Sequence, residues 1–302
     1  MSVLVVLGNA GADFTYHVER LPRAGETVVA SRITRNLGGK GLNQAIAARR
    51  AGAQLRFVAP VGEDETAQAI RAALRAEGID DGGLIVRAGA SDTSVILLDT
   101  AGENTIVSDT RQSETLPPDG LEGRLALAQG DTLLLQGNLS RPTTDAAVLH
   151  ANAAGARVVL NAAPLRDWMT GIAGRIDAVI ANRLEAAGWT GGDEHDDIVD
   201  LVGRIDAPLV VVTMGREGCC VRRRDDIARL IAAPRAAAVD TTGAGDVFCG
   251  TFVAEWLATG DPEGAAGLAV RTASDMVTRV GTVCALPSRE TLARLRATRT
   301  PA

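Results

Sequence analysis

Residues 239–250 read VDTTGAGDVFCG, and this stretch decides how the rest of the chain is interpreted. Its small-residue turn leads into an amphipathic segment, Val247 to Leu257, which predicts a helix. Gly243 and Gly245 let another molecule approach the backbone, and the first amides of a helix have no internal partner. Such a corner suits an anion, phosphate in particular, and an aspartate, Asp246, follows it directly.

Asp246 allows two interpretations. A carboxylate at this position can serve as a cap of the helix that follows. The same carboxylate beside a phosphoryl group can take the proton from an attacking hydroxyl. The stretch alone leaves both interpretations open.

The composition limits the classes of protein that need to be considered. A chain of 302 residues is long enough for one large α/β domain, which we place at residues 1–302. The net charge of −6, with no basic cluster interleaved with aromatic residues, predicts neither a nucleic-acid partner nor an acidic membrane partner. The four cysteines include no C-x-x-C pair, and no apolar run is long enough to span a bilayer. We therefore expect reduced thiols and a cytoplasmic location.

One basic residue differs from all the others. Of the 31 basic residues only Lys40 is a lysine, and the rest are arginine. It lies in the run GGKG, residues 38–41, which we predict to be a loop whose glycines allow a small molecule to contact the backbone. The pattern suggests that this position requires an ammonium group.

Strand and helix patterns alternate along most of the chain, which predicts an α/β fold with a parallel sheet covered by helices and with ligands at the carboxyl ends of the strands. The predicted strands are 3–7, 55–61, 132–135, 157–161, 178–181 and 209–213, with a late antiparallel pair at 219–222 and 228–232. The predicted helices are 43–51, 65–77, 143–154, 196–205, one from Val247, and 262–280.

Two segments, about 13–35 and 93–110, have a different pattern. Apolar and polar residues nearly alternate in 14–18 and 26–34, and a hairpin signal separates 93–98 from 104–108. Alternation of this kind predicts half-exposed antiparallel strands. We expect these segments to form a small sheet that stands off the main body.

The fingerprints of two large nucleotide-binding classes are missing. No G-x-x-x-x-G-K-[ST] is present, and neither glycine-rich turn has the spacing G-x-G-x-x-G, which disfavours a P-loop ATPase and an NAD enzyme. His17, His150 and His195 are far apart in the sequence and lack metal-ligand spacing.

Two motifs, GGKGLNQA at residues 38–45 and DTTGAGDVFCG at 240–250, together resemble the signatures of the ribokinase-like (PfkB) carbohydrate kinases. The elements Asn182-x-x-Glu185 and Thr213-x-Gly215-x-x-Gly218 fit the same pattern between them. The resemblance runs from Gly8 to about Pro287. It implies a three-layer α/β/α sandwich with a mainly parallel central sheet and a small β-sheet lid.

The resemblance also implies an activity, the ATP- and Mg²⁺-dependent phosphorylation of a hydroxymethyl group on a sugar or nucleoside. Asp246 would be the catalytic base, and the amides of Gly243, Ala244 and Gly245 would form the anion hole. The other implied residues fall into three groups. Substrate-binding positions are Gly11, Asp13, Gly39, Lys40, Asn43 and Asn138; nucleotide and magnesium positions are Asn182, Glu185, Thr213, Gly215, Gly218 and Gly245; potassium positions are Asp240 and Thr242, completed by carbonyls near Met276, Arg279 and Gly281.

The chain departs from the ribokinase pattern at two sugar-contacting positions. Gly11 stands where ribokinases carry an asparagine, and Asn138 stands where they carry a glutamate. Changed contacts should alter which hydroxyls are recognised, so strict ribose specificity does not follow. A nucleoside kinase and a non-catalytic sugar or nucleotide sensor are the alternatives, and a homodimer formed through the lid sheets is expected.

Overall fold

A computed structural model describes residues 2–101 and 103–298. Its strands are β1 Leu4–Leu7, β2 Gly11–His17, β3 Arg32–Gly38, β4 Leu55–Val61, β5 Leu84–Val86, β6 Asp92–Leu98, β7 Asn104–Asp109, β8 Thr132–Gln136, β9 Arg157–Asn161, β10 Ala178–Asn182, β11 Leu209–Thr213, β12 Cys219–Arg223 and β13 Arg229–Ile231. Its α-helices are α1 Lys40–Arg50, α2 Glu65–Ala76, α3 Arg111–Glu114, α4 Leu121–Leu125, α5 Arg141–Ala153, α6 Arg183–Thr190, α7 Ile198–Arg204, α8 Ala244–Thr259, α9 Pro262–Met276 and α10 Arg289–Ala297. Short 3-10 turns occur at Asp81–Gly83, Met169–Arg175, Gly215–Glu217 and Val283–Ala285.

The main sheet has nine strands in the order β13-β12-β11-β10-β9-β8-β1-β4-β5. The pairs from β11 to β5 are all parallel, whereas β12 and β13 are antiparallel at one edge. The apolar run of β1 fits its central place, because a parallel strand covered on both faces has no side that water reaches. The predicted parallel sheet and late antiparallel pair are confirmed.

Helices cover both faces of this sheet, which gives three layers. Alternate residues of β1 divide between two cores: Leu4 and Val6 pack with α1, α2, α8, α9 and α10, while Val5 and Leu7 pack with α4, α5, α6 and α7. The period of two in a strand sends successive side chains to opposite faces. The predicted α/β/α sandwich is confirmed.

The lid is a separate four-stranded sheet with the order β3-β2-β6-β7. Its outer pairs are antiparallel, but its central pair, β2 with β6, is parallel, so the prediction of antiparallel strands throughout was incomplete. The predicted strand at 26–34 was placed too early, because β3 starts at Arg32 and residues 26–30 form no strand. The turn residue Gly102 lies outside the described residues.

The first helix begins earlier than predicted. We expected a loop at residues 38–41 and a helix from Asn43, but α1 starts at Lys40 with Gly39 as its N-cap, at φ 101°. Gly39 has no side chain that could cap α1, and Asn9, just after β1, accepts the hydrogen bonds of the first helix amides instead. Its side chain accepts from the amide of Gly41 at 3.2 Å, and its backbone oxygen accepts from Leu42 at 3.0 Å. Lys40 therefore projects from a rigid helix end and not from a loop.

The other helix boundaries agree closely, with one exception at the carboxyl end. The helix predicted to reach residue 280 ends at Met276, and residues 277–281 form a loop that contacts the turn before α8. Within residues 2–101 and 103–298, each helix is too short or too polar to cross a bilayer.

Candidate active site

Helix α8 begins in the Gly243–Asp246 corner. Gly243 is its N-cap, with φ 81°, a conformation that favours glycine, and the cap carries no side-chain hydrogen bond. The Ala244 amide donates to the Thr241 carbonyl at 3.2 Å, while the next amides belong to the turn that α-helices leave unpaired. The corner therefore has the open donors and the positive dipole end that an anion requires.

Asp246 occupies the third position of α8 and is 6% exposed. Within residues 2–101 and 103–298 it does not cap its own helix. Both oxygens accept from side-chain amides of α1, Oδ2 from Asn43 Nδ2 and Oδ1 from Gln44 Nε2, each at 3.0 Å. Gly250 allows this contact, because a side chain there would collide with the Gln44 backbone on α1. The carboxylate is thus held from the neighbouring helix.

A small cavity of about 120 Å³ opens onto Asp246 and the α8 corner. Lys40 lines it, as does Glu185, whose side chain accepts from the Asn182 amide at 2.8 Å in a capping box that begins α6. Burial raises the pKa of Glu185, and the Asn182 hydrogen bond and the charge of Lys40 oppose that shift. An ammonium and two carboxylates therefore share one partly desolvated space.

A larger cavity of about 750 Å³ adjoins the small one, with Thr213 and Gly245 lining both. Gly215, Gly218, Phe248 and Val277 are among the residues that form its walls. The volume and the mixed apolar and polar walls suit a ligand as large as a nucleotide. The predicted nucleotide positions are therefore brought together at the carboxyl ends of the strands.

Asp13 brings the lid to this site. It lies on β2, between β3 and β6, and burial raises the pKa of its carboxyl. A hydrogen bond from Ser94 opposes the shift, and the charge of Asp246 adds to it, so the two carboxylates are near each other. Gly11, two residues earlier, packs against the backbone carbonyl of Asp92, where any side chain would collide.

At two of the predicted sugar positions a buried amide oxygen, Asn43 Oδ1 or Asn138 Oδ1, has no hydrogen-bond partner in the part of the chain that the structure describes. Buried polar atoms are normally paired, and an unpaired one indicates a missing partner. Both atoms are acceptors, which is the complement of a hydroxyl donor. Gly39 lies at the start of α1, where its carbonyl accepts from the Asn43 amide at 3.0 Å, and it is close to the backbone of Asn9 and Ala10.

The predicted potassium residues meet in one loop cluster. Asp240 Oδ1 accepts from the Thr242 amide and Oδ2 from the Gly281 amide, both at 2.9 Å. The Asp240 amide in turn donates to the carbonyl of Val277, just after Met276. The Met276 carbonyl accepts from the Arg279 amide at 3.0 Å. Among the described residues, no three His, Cys, Asp or Glu side chains come together as metal ligands.

Two functional candidates were missed from sequence, Gln44 and Gln136. Gln44 bonds Asp246, and Gln136 at the end of β8 donates to Gln44 Oε1 at 3.0 Å. A glutamine in the alanine-rich α1, and another closing the apolar run of β8, were the available signals. Neither signal indicated which group the glutamine side chain would hydrogen-bond.

Comparisons with known proteins identify the family of the chain. The sequence profile of the pfkB family carbohydrate kinases matches residues 1–289. The ribokinase of Haemophilus influenzae is 30% identical over 304 positions, covering 95% of this chain and 96% of that protein. The deoxyribokinase of Salmonella typhi is 30% identical over 295 positions, with the same coverage of both chains.

Solved structures give the same result for the fold. The structure of Arabidopsis thaliana ribokinase complexed with ribose and ATP superposes with a TM-score of 0.88, covering 99% of this chain and 100% of that chain at 25% identity. Thermotoga maritima ribokinase gives a TM-score of 0.89 at 24% identity, with the same coverage. The chain therefore belongs to the pfkB family of carbohydrate kinases.

Proposed function

We propose that the protein transfers the γ-phosphoryl group of ATP to a hydroxymethyl group of a sugar, ribose or a related pentose or hexose. The observation that carries the proposal is the position of Asp246, which is buried, lines the small cavity beside the α8 corner, and raises the pKa of the lid carboxylate Asp13 through its charge. Ribokinases and a deoxyribokinase among the relatives, and the neighbour complexed with ribose and ATP, support the choice of substrates.

Asp246 would act as the base. Amide donors on both oxygens fix the plane of the carboxylate, while each oxygen keeps a lone pair that can accept a hydroxyl proton. Phosphoryl transfer through a loose transition state needs alignment more than strong basicity. Asp246 would orient the sugar hydroxyl early in the reaction and accept its proton late.

The α8 corner would bind the phosphoryl group as it transfers. Open amides near Gly243 and Gly245, with the helix dipole behind them, stabilise negative charge where it develops. Lys40 lines the same small cavity and supplies a full positive charge. The adjoining larger cavity would hold the nucleoside part of ATP.

Asn182 and Glu185 fit a magnesium ion that enters with the nucleotide. Glu185 offers a second carboxylate oxygen beside the one that accepts from Asn182, and both residues line the small cavity. Few protein ligands are needed, because Mg²⁺ usually keeps waters and binds the substrate phosphates. When bound, the ion would neutralise phosphate charge.

Asp13, Asn43 and Asn138 would recognise the sugar, with Gly39 giving backbone access. Gly11 would contribute only its backbone, because the Asp92 carbonyl fills the space where a side chain would lie. The unpaired oxygens of Asn43 and Asn138 are acceptors for sugar hydroxyls, and Asp13 adds a charged acceptor from the lid. A site made of acceptors suits a neutral polyol whose hydroxyls donate.

Asp13→Asn should raise KM for the sugar by about 10- to 100-fold, because hydrogen bonds to a charged acceptor are among the stronger ones. The same substitution should raise the free energy of unfolding near neutral pH. Burial raises the pKa of Asp13 in the folded protein, so ionisation above the ordinary pKa disfavours folding, and this disadvantage disappears as pH falls through the raised pKa. Steady-state kinetics and thermal unfolding against pH measure both effects.

Asp109→Asn, on the exposed β7 strand of the same sheet, is the matched control and should change neither quantity. An unchanged sugar KM in Asp13→Asn would remove Asp13 from substrate recognition.

A potassium ion beside Asp240 is a further part of the proposal. Asp240 ties the turn before α8 to the 277–281 loop, and backbone carbonyls of that loop are the ligand type that a monovalent cation prefers. A bound cation would offset the Asp240 charge and stiffen the turn that presents the amides. We expect higher kcat in potassium than in tetramethylammonium buffer at equal ionic strength; equal rates would contradict the site.

The assignment is tested by a coupled assay of ATP consumption across pentoses, hexoses, 2-deoxy sugars and nucleosides. We expect phosphorylation of a free sugar, with a phosphate ester at a hydroxymethyl carbon in the product NMR spectrum. Preference for adenosine in competition with ribose would instead identify a nucleoside kinase. Tight sugar binding without turnover of any substrate would identify a sensor.

We also propose that the enzyme is a cytoplasmic homodimer. Ile106 and Val107 on β7 and Ile33 on β3 are exposed apolar residues at the two edges of the lid sheet, and sheet edges readily pair with other strands. The four cysteines are unpaired thiols, as expected in a reducing compartment. Light scattering coupled to size-exclusion chromatography measures the oligomeric state.

A further inference from the structure

A chain of two buried amide side chains, Gln136 and Gln44, ends on Asp246. Gln136 Nε2 on β8 donates to Gln44 Oε1 at 3.0 Å, and Gln44 Nε2 on α1 donates to Asp246 Oδ1 at the same distance. Gln44 and Gln136 are both 0% exposed. The contact therefore crosses from the central sheet through α1 to α8 without any solvent-exposed group.

The ionised carboxylate determines the direction of every bond in this chain. An ionised Asp246 only accepts, so the NH₂ of Gln44 must face it and the Gln44 oxygen must face away. The oxygen then faces Gln136, whose own NH₂ must point toward it. The alternation of donor and acceptor thus assigns the orientation of both amides.

The carbonyl oxygen of the Gln136 side chain, in contrast, makes no hydrogen bond among the described residues. This oxygen, Oε1, is buried against Gly8, where a side chain would collide with it. An unpaired buried carbonyl destabilises a fold, and a hydrocarbon of the same length would avoid that penalty. The NH₂ group toward Gln44 is the part of the side chain that a hydrocarbon cannot supply.

We propose that Gln136 is a positioning residue for the phosphotransfer, acting through Gln44 on Asp246. By donating to Gln44 Oε1 it prevents rotation of that amide and keeps the Gln44 NH₂ on the carboxylate. Asn43, the second donor to Asp246, has its own oxygen unpaired among the described residues, so no hydrogen bond at that end fixes its amide. Gln44, whose amide is bonded at both ends, therefore holds the Asp246 carboxylate in one orientation. The inference rests on Asp246 being the base.

Gln136→Met keeps the length of the side chain and removes the donor. We expect kcat to fall about 10-fold, because the hydrogen bond that orients Gln44, and through it Asp246, is lost. The KM values for sugar and ATP should not change. The melting temperature should stay equal or rise, because the unpaired oxygen is removed with the donor. Gln136→Leu is the second variant should the methionine protein fold poorly.

A double-mutant cycle separates positioning from structure. In an Asp246→Ala background, Gln136→Met should have no further effect on the residual single-turnover rate, because the group that it positions is gone. Thr132→Val is the control, since Thr132 lies on the same strand, is equally buried and also has an unpaired oxygen. It should leave kcat unchanged.

Each result decides the matter. An unchanged kcat in Gln136→Met, or an equal loss in both backgrounds, would overturn the positioning role while leaving Asp246 as the base. Full activity in Asp246→Ala alone would instead overturn the proposed function on which the inference rests. A fall in kcat that occurs only in the wild-type background, with unchanged KM, would support the positioning role of Gln136.

Discussion

Asp246→Ala should lower kcat by at least about 10²-fold, the lower end of what a positioned base contributes, and leave ATP affinity nearly unchanged. The carboxylate does not line the larger cavity, which would hold the nucleoside, and among the described residues its side-chain partners are the two α1 amides. Nucleotide binding should therefore not depend on it. Steady-state kinetics with saturating sugar measure kcat, and calorimetric titration with ADP measures affinity.

The alanine variant also leaves two buried amides without an acceptor, so folding must be checked by thermal unfolding. Asp246→Asn retains the volume and is the companion variant, with a similar loss of kcat expected. Asp261→Asn is the matched control: Asp261 caps α9, the next helix, and asparagine caps equally well. Wild-type turnover in both Asp246 variants would show that the residue only supports the helix.

Lys40→Met should lower kcat by about 10²-fold, comparable to removing one donor that stabilises transition-state charge. The Lys40 ammonium lines the small cavity together with two carboxylates. Without its positive charge, the negative charges of Asp246 and Glu185 would repel an incoming phosphate more strongly. We expect KM for ATP to rise as well, because ground-state phosphate carries the same charge. Kinetics at varied ATP separate the two effects.

Lys40→Arg should not restore activity. Arginine carries the same charge on a larger planar group, and a cavity of about 120 Å³ that must also admit a phosphoryl group has little space for it. Arg75→Lys, on the exposed side of α2, is the control for a lysine–arginine exchange and should be neutral. If Lys40→Arg is as active as wild type, the site requires only positive charge and not a compact ammonium.

The layers of the fold were predictable because they depend on local periodicity. The apolar run of β1 and the alternation of strands and helices fixed a parallel sheet without knowledge of any long-range contact. The β2–β6 pair was not predictable in the same way, since a parallel pairing between segments about 80 residues apart leaves no local signal. The early start of α1 depends on Asn9, which is distant in sequence.

The site shows the same division. The turn at 243–246 could be interpreted from sequence, because glycine, a helix start and an aspartate each have a local meaning. Lys40 and Glu185 line the small cavity together, and Gln44 and Gln136 support Asp246. Both arrangements depend on how the helices pack, which the spacing of residues in the sequence does not indicate. Glycine at position 250 permits that packing, and its role is visible only once α1 is in place.

The position of Lys40 also makes the protein unusually easy to probe by chemical modification. Amine-reactive reagents label lysine side chains as well as α-amino groups, and in this sequence the single lysine lines the small cavity. Inactivation by such a reagent can then be attributed to one side chain, and the extent of labelling reports how much of the cavity is occupied.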